Sequence, residues 1–120
     1  MSIPQLGWCL STTSDRLMEA SNKFERDIIL NKLLTGNKNQ YEYLHSILSK
    51  LDPHSAKKYR INIIKNPIAN AYALPNGLIG VNTGLLTAVD NEAQLAMILA
   101  HEISHIELNH SIRLRDDFHN

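Results

Sequence analysis

A turn at Pro75-Asn76-Gly77, set between two apolar runs and followed by a long helical pattern, constrains this chain more than any other feature. Proline presets one turn dihedral, and Asn-Gly tolerates the positive φ that a tight reversal needs. Residues Ile68 to Leu74 and Leu78 to Asn82 are therefore expected to pair as a hairpin. Another strand is expected at Tyr59 to Ile64, which alternates and is rich in β-branched residues, until Asn66-Pro67 breaks it.

Two helices precede the strands. The first is expected to run from a cap at Ser14 or Asp15 to about Leu34, with Gly36 and Asn37 stopping it. The second spans about Asn39 to Leu51, with Tyr41, Leu44, Ile47, Leu48 and Leu51 on one stripe, and ends at Asp52-Pro53. Both are amphipathic and close in sequence, so they are expected to pack as an antiparallel pair. Gly84 to Thr87 begins a short helix. Asp90 or Asn91 then caps a long one reaching Arg113 or a little beyond, with Glu92 near its positive end. Residues 1–13, with Pro4 and Gly7, read as an irregular arm ahead of a single α+β unit over 14–120.

At 120 residues the chain is large enough to bury one core without staples. Twelve basic and twelve acidic side chains balance, which argues against a nucleic-acid surface or a polybasic membrane patch. No apolar run approaches the ~20 residues that span a bilayer. The N-terminus lacks the basic and apolar regions of a secretory signal. A lone cysteine, Cys9, has no internal partner and reads as a harmless thiol.

The chemistry is concentrated in the long helix. In His101-Glu102-Ile103-Ser104-His105 the two histidines lie about 40° apart on a helical wheel, one turn from each other. Two imidazoles so placed can chelate one zinc ion. Glu102 falls about 60° from His105, too far round to join both histidines as a ligand but placed to reach a water at the metal. Met97, Ile98, Leu108 and Ile112 share the histidine face, while Leu95, Leu99, Ile103 and Ile106 fill the opposite side. A helix apolar on most sides is expected to be buried. Buried histidines and a buried carboxylate are costly without partners, and a metal with its water would supply them. The plain alternative is a structural domain whose histidines are satisfied core residues.

Five blocks occur in order: Asn70-Ala71-Tyr72-Ala73-Leu74-Pro75-Asn76-Gly77, Thr83-Gly84-Leu85-Leu86, Glu92-Ala93-Gln94-Leu95-Ala96, His101-Glu102-Ile103-Ser104-His105 and Asn109-His110. Together they resemble the HtpX-like and CAAX-prenyl-protease-type zinc metallopeptidases, the gluzincin group that includes BepA-like and Oma-like enzymes. The resemblance covers about residues 59–113. It implies a zincin-like α+β fold and a zinc-dependent endopeptidase acting on peptides or unfolded proteins. It makes His101 and His105 metal ligands and Glu102 the general base, and it places His110 behind the site. It also assigns Asn70, Ala71, Tyr72 and Ala73 to a strand that pairs with an extended substrate. Members of the group are membrane-embedded, periplasmic or mitochondrial. With no spanning segment here, a soluble or peripheral placement is expected.

The family's third zinc ligand is a glutamate on a later helix, whereas only fifteen residues follow His105 in this sequence. Glu107 is on the wrong side of the same helix. Asp116, Asp117 and His119 would need a turn that no glycine or proline provides. The serine at position 111 excludes the pattern with a third histidine six residues on. The chain therefore reads as the N-terminal part of a catalytic domain with weak or absent hydrolysis of its own. The alternative is a non-catalytic relative that binds or chaperones a client.

Overall fold

The computed structural model describes the backbone of residues 13–119, and side chains over residues 15–108 apart from Ser55. The expected N-terminal arm, apart from Thr13, and Cys9 lie outside the described residues. Among the described residues the elements run α1 (Thr13–Leu30), β1 (Leu34–Thr35), α2 (Lys38–Leu51), α3 (Pro53–Lys58), β2 (Arg60–Ile64), β3 (Ala71–Ala73), β4 (Leu78–Asn82), α4 (Thr83–Ala88) and α5 (Glu92–His119). The α+β class is as expected.

α1 stops four residues earlier than the sequence pattern implies. Lys32 takes a positive φ of 56°, Leu33 N–H reaches back to the Ile28 carbonyl, and Lys32 N–H to that of Ile29. This is a Schellman termination with lysine where glycine is usual. It frees Leu34 and Thr35 to pair antiparallel with Ile64 and Ile63. Gly36-Asn37, expected to stop the first helix, instead starts the second. The Asn37 side chain accepts from Gln40 N–H and the Gln40 side chain accepts from Asn37 N–H, a reciprocal capping box. Pro53 ends α2 and, at a position where a missing N–H does no harm, opens the unexpected α3.

The hairpin forms where expected. Gly77 has φ +90°, its N–H meets the Leu74 carbonyl, and Leu74 N–H meets that of Leu78. β3 and β4 pair antiparallel with Tyr72 opposite Gly80. A Cβ on Gly80 would sit 2.3 Å from the Tyr72 ring, so glycine is what lets that ring lie across the strand. The expected strand from Ile68 shortens to Ala71–Ala73. Asn66 turns the chain there, its side chain accepting from Ile68 N–H and its carbonyl from Gly84 N–H. β2 joins β4 in parallel, giving the order β1-β2-β4-β3.

The two faces of this sheet explain why α1 and α2 do not pair with each other. Ile63, Ile79, Val81, Ala71 and Ala73 point into one core with Leu44, Ile47 and Leu48 of α2 and Leu95, Leu99 and Ile103 of α5. Strand alternation sends Ile64, Leu78 and Tyr72 to the other face. There Ile28 of α1 is buried, Phe24 meets the Tyr72 ring edge-on at 5.5 Å, and Glu25 binds Arg60 at 2.7 Å. The apolar stripes of α1 and α2 thus face opposite sides of one sheet.

Tyr41 ties α2 to the sheet. Its hydroxyl donates to the Thr35 carbonyl at 2.9 Å and accepts from Ile63 N–H at 3.1 Å. Tyr41→Phe leaves both backbone groups short of a partner. It is expected to destabilise the fold by about 1–3 kcal/mol, read as a lower midpoint in urea with unchanged slope.

Candidate active site

Asn91 precedes α5, its side chain accepting from Gln94 N–H at 2.9 Å, and the helix runs without interruption from Glu92 to His119. Leu95, Leu99 and Ile103, spaced by four, hold it to the core. β3 packs on the same helix through Ala71 and Ala73, whose small side chains allow a close approach.

This anchoring leaves the histidine face outward. His101 and His105 are both exposed and Glu102 is half-buried on the flank. Met97 and Leu108, which share the face, are 72% and 58% exposed. The expectation of a buried histidine face is thus corrected. The core contacts of α5 come from its opposite stripe, and no described element covers the histidine side. The reading of the histidines as satisfied core residues fails on the same observation.

The two rings converge. Their Nε2 atoms are 3.0 Å apart, with centroids at 4.4 Å and planes at 88°. Two nitrogens bound tetrahedrally to one zinc at ~2.0–2.1 Å would stand about 3.3 Å apart, so little movement separates this arrangement from chelation. The imidazole pair therefore fits a zinc ion. Among the described residues there is no group of three His, Cys, Asp or Glu able to hold a metal.

Glu107 is occupied elsewhere, as its position on the wheel implies. Its Oε1 accepts from Lys58 Nζ at 2.7 Å and from the Tyr59 hydroxyl at 2.8 Å, fastening α5 to the start of β2. Burial, then the bond to Glu107 and its charge, push the Tyr59 phenol well above its ordinary value. An open cleft of about 410 Å³ lies on this flank, lined by Asp52, His54, Lys58, Ser104 and Glu107 among others, and neither motif histidine borders it. The side chains of His110, Asp116, Asp117 and His119 lie outside the described residues.

Among the described residues β3 is an edge strand, with β4 its single neighbour. Asn82 N–H bonds the Asn70 carbonyl and Leu74 N–H that of Leu78. By ladder alternation, residues 70, 72 and 74 face β4 while the backbone groups of Ala71 and Ala73 point to the free edge. The Asn70 side chain caps one of these, accepting from Ala71 N–H at 2.9 Å. Tyr72 points its ring away from α5 toward Phe24, where burial raises its phenol. Of the four expected substrate residues, then, Ala71 and Ala73 offer an outward backbone and Tyr72 supports the far face.

Residues 37–115 match peptidase family M48. The chain belongs to that family. Among curated proteins, the M48 chain is 45% identical over 51 residues to the mitochondrial metalloendopeptidase OMA1 of Homo sapiens, covering 42% of this chain and 10% of that protein. It is 33% identical over 79 residues to the Beta-barrel assembly-enhancing protease of Escherichia coli, covering 63% of this chain and 16% of the relative. The Schizosaccharomyces pombe mitochondrial metalloendopeptidase OMA1 is 39% identical over 54 residues, covering 45% of this chain and 16% of that protein. The chain thus spans a tenth to a sixth of the length of these relatives. No described helix is long and apolar enough to cross a membrane.

Sequence pattern alone anticipates neither the clamp of Glu107 by Lys58 and Tyr59 nor the buried Asn82. The Asn82 Nδ2 donates to the Ile68 carbonyl, and its Oδ1 has no partner among the described residues. Both depend on contacts between segments well apart in sequence, which leave no periodic signal.

Proposed function

We propose that this chain is the N-terminal part of a zinc-dependent endopeptidase domain, in which His101 and His105 hold the metal and Glu102 is the general base. The observation that carries the reading is the 3.0 Å approach of the two Nε2 atoms with a carboxylate at the intervening flank. Membership of a peptidase family and likeness to metalloendopeptidases support it. Bound there, zinc supplies a Lewis acid that polarises the scissile carbonyl and brings water toward a pKa of ~7. Glu102 accepts the proton of the attacking water and delivers it to the departing amine. The outward N–H and C=O groups of Ala71 and Ala73 position an extended peptide by adding it as a strand beside β3, with the Asn70 side chain displaced from Ala71 N–H. A third ligand is supplied from beyond the described side chains, as the family pattern implies.

The test is cleavage of an unfolded protein such as casein by the purified chain with zinc added. With two donors among the described side chains, turnover is expected to be slow at best, and whatever is seen should vanish on chelation and in Glu102→Gln. Turnover that survives either treatment would overturn the proposal. A second reading, a metal-binding but non-catalytic module, is favoured by the absence of a third donor among the described residues. Zinc binding without any hydrolysis, in this chain and in longer forms of the protein, would select it.

A further inference from the structure

We propose that Asn82 is a positioning residue for the peptide-binding edge. Its side chain fixes the segment leading into β3, so that Ala71 and Ala73 present their outward backbone groups in line. The inference rests on the reading of β3 as the substrate strand and adds to it a residue of the neighbouring strand.

Asn82 closes β4 and stands at the N-cap of α4. Asparagine in that place commonly turns its oxygen onto the first free N–H groups of the helix. Among the described residues its side chain makes no such bond. It is 4% exposed and turned the other way, with Nδ2 donating to the Ile68 carbonyl at 3.2 Å. That orientation of the amide is forced, since the opposite one would set two oxygens face to face. It leaves Oδ1 buried with no partner among the described residues. An unpaired buried acceptor is destabilising, so the comfort of the side chain itself does not explain its placement.

The grip falls where burial supplies none. Ile68 is 64% exposed, and Pro67, Ala69 and Asn70 are exposed as well. Hydrogen bonds therefore hold this segment. Asn66 Oδ1 accepts from Ile68 N–H at 2.9 Å while Asn82 holds the Ile68 carbonyl, so one residue is fixed from both ends. The Asn82 N–H also donates to the Asn70 carbonyl at 3.1 Å. Side chain and main chain of Asn82 thus hold two carbonyls, two residues apart, just ahead of Ala71. Without the side-chain bond, Asn70 becomes the first fixed point, and its own side chain covers Ala71 N–H. Slack there reaches both the donor a peptide needs and the group that must leave it.

The experiment is binding of fluorescein-labelled casein to the 120-residue chain, followed by anisotropy in EDTA so that nothing is cleaved. Asn82→Ser can still cap α4, and Asn82→Leu keeps the volume while removing the orphaned oxygen. Both are expected to bind about tenfold more weakly, the worth of roughly one hydrogen bond. Affinity is read on folded chain, so lost stability alone does not move it. Tyr41→Phe, weakened at the other edge of the sheet, is the control and should bind as the native chain does. Native affinity in either folded Asn82 variant would overturn the proposal, as would an equal loss in Tyr41→Phe. Failure of both Asn82 variants to fold would make the residue structural and overturn it too. Amide shifts of Ala71 and Ala73 on adding unlabelled casein test the reading beneath. If the native chain binds none, or binds it with those amides unmoved, β3 is not the substrate strand and the proposal falls with that reading.

Discussion

Glutamine at position 102 is expected to lower peptide hydrolysis by about 10²- to 10⁴-fold while zinc stays bound. That range is what a positioned general base typically contributes. The separation of the two effects follows from where the side chains sit. The imidazoles meet each other at 3.0 Å without help from Glu102, which lies on the flank between the histidine face and the core stripe. Glutamine keeps the size and loses only the ability to take a proton. The check is parallel measurement of kcat and zinc content on the same preparation of any hydrolytically active form. Loss of metal along with activity would mean that the carboxylate is a ligand and that its assignment as base is mistaken.

The second large effect is structural. Gly84→Ala is expected to destabilise the fold by about 3 kcal/mol, at the upper end of what overpacking costs. A Cβ at Gly84 would stand 2.1 Å from the Pro67 carbonyl oxygen, 2.4 Å from its carbon and 2.8 Å from the Ile68 carbon, all of them backbone. The loop cannot simply swing aside. Asn66 is bonded to Thr83 in both directions, accepting from its hydroxyl at 3.0 Å and donating to it at 3.2 Å, and its carbonyl also takes Gly84 N–H. Gly77 makes the useful contrast. It has φ +90°, but an added Cβ would meet its neighbours at an ordinary 3.4 Å. Gly77→Ala therefore carries only the backbone penalty of about 1–2 kcal/mol. Denaturant unfolding of the two variants ranks them, and a larger loss at Gly77 would show that the loop over α4 yields more easily than its bonding suggests.

These two glycines mark the boundary between what a linear sequence discloses and what only the folded chain does. Gly77 announces itself through its neighbours Pro75 and Asn76, because turn chemistry is local. So do the cap at Asn91 and the stripe of α2. Gly84 is visible in the sequence only as part of a Thr-Gly-Leu-Leu block, and its reason, the carbonyl of Pro67 pressed against it, is a contact across the fold. The break after α1 is hidden because Lys32 occupies a position where glycine is the usual signal. The expected pairing of α1 with α2 fails because periodicity reveals that a helix has an apolar face but not which surface it meets. For the same reason the motif spacing places His101 and His105 together but does not reveal that their face is open to solvent. Burial of that face depends on what packs over it, and Met97, Leu108 and Ile98 look the same on a wheel whether covered or exposed.

Zinc affinity measured by chelator competition, on the native chain and on His101→Ala and His105→Ala separately, tests the central claim most directly. If one ion is held by both imidazoles, each single substitution should weaken binding by more than about 100-fold, beyond the 10- to 100-fold typical of groups that only support a ligand. Equal affinity in all three proteins would contradict the account, because a metal indifferent to these rings is not bound between them.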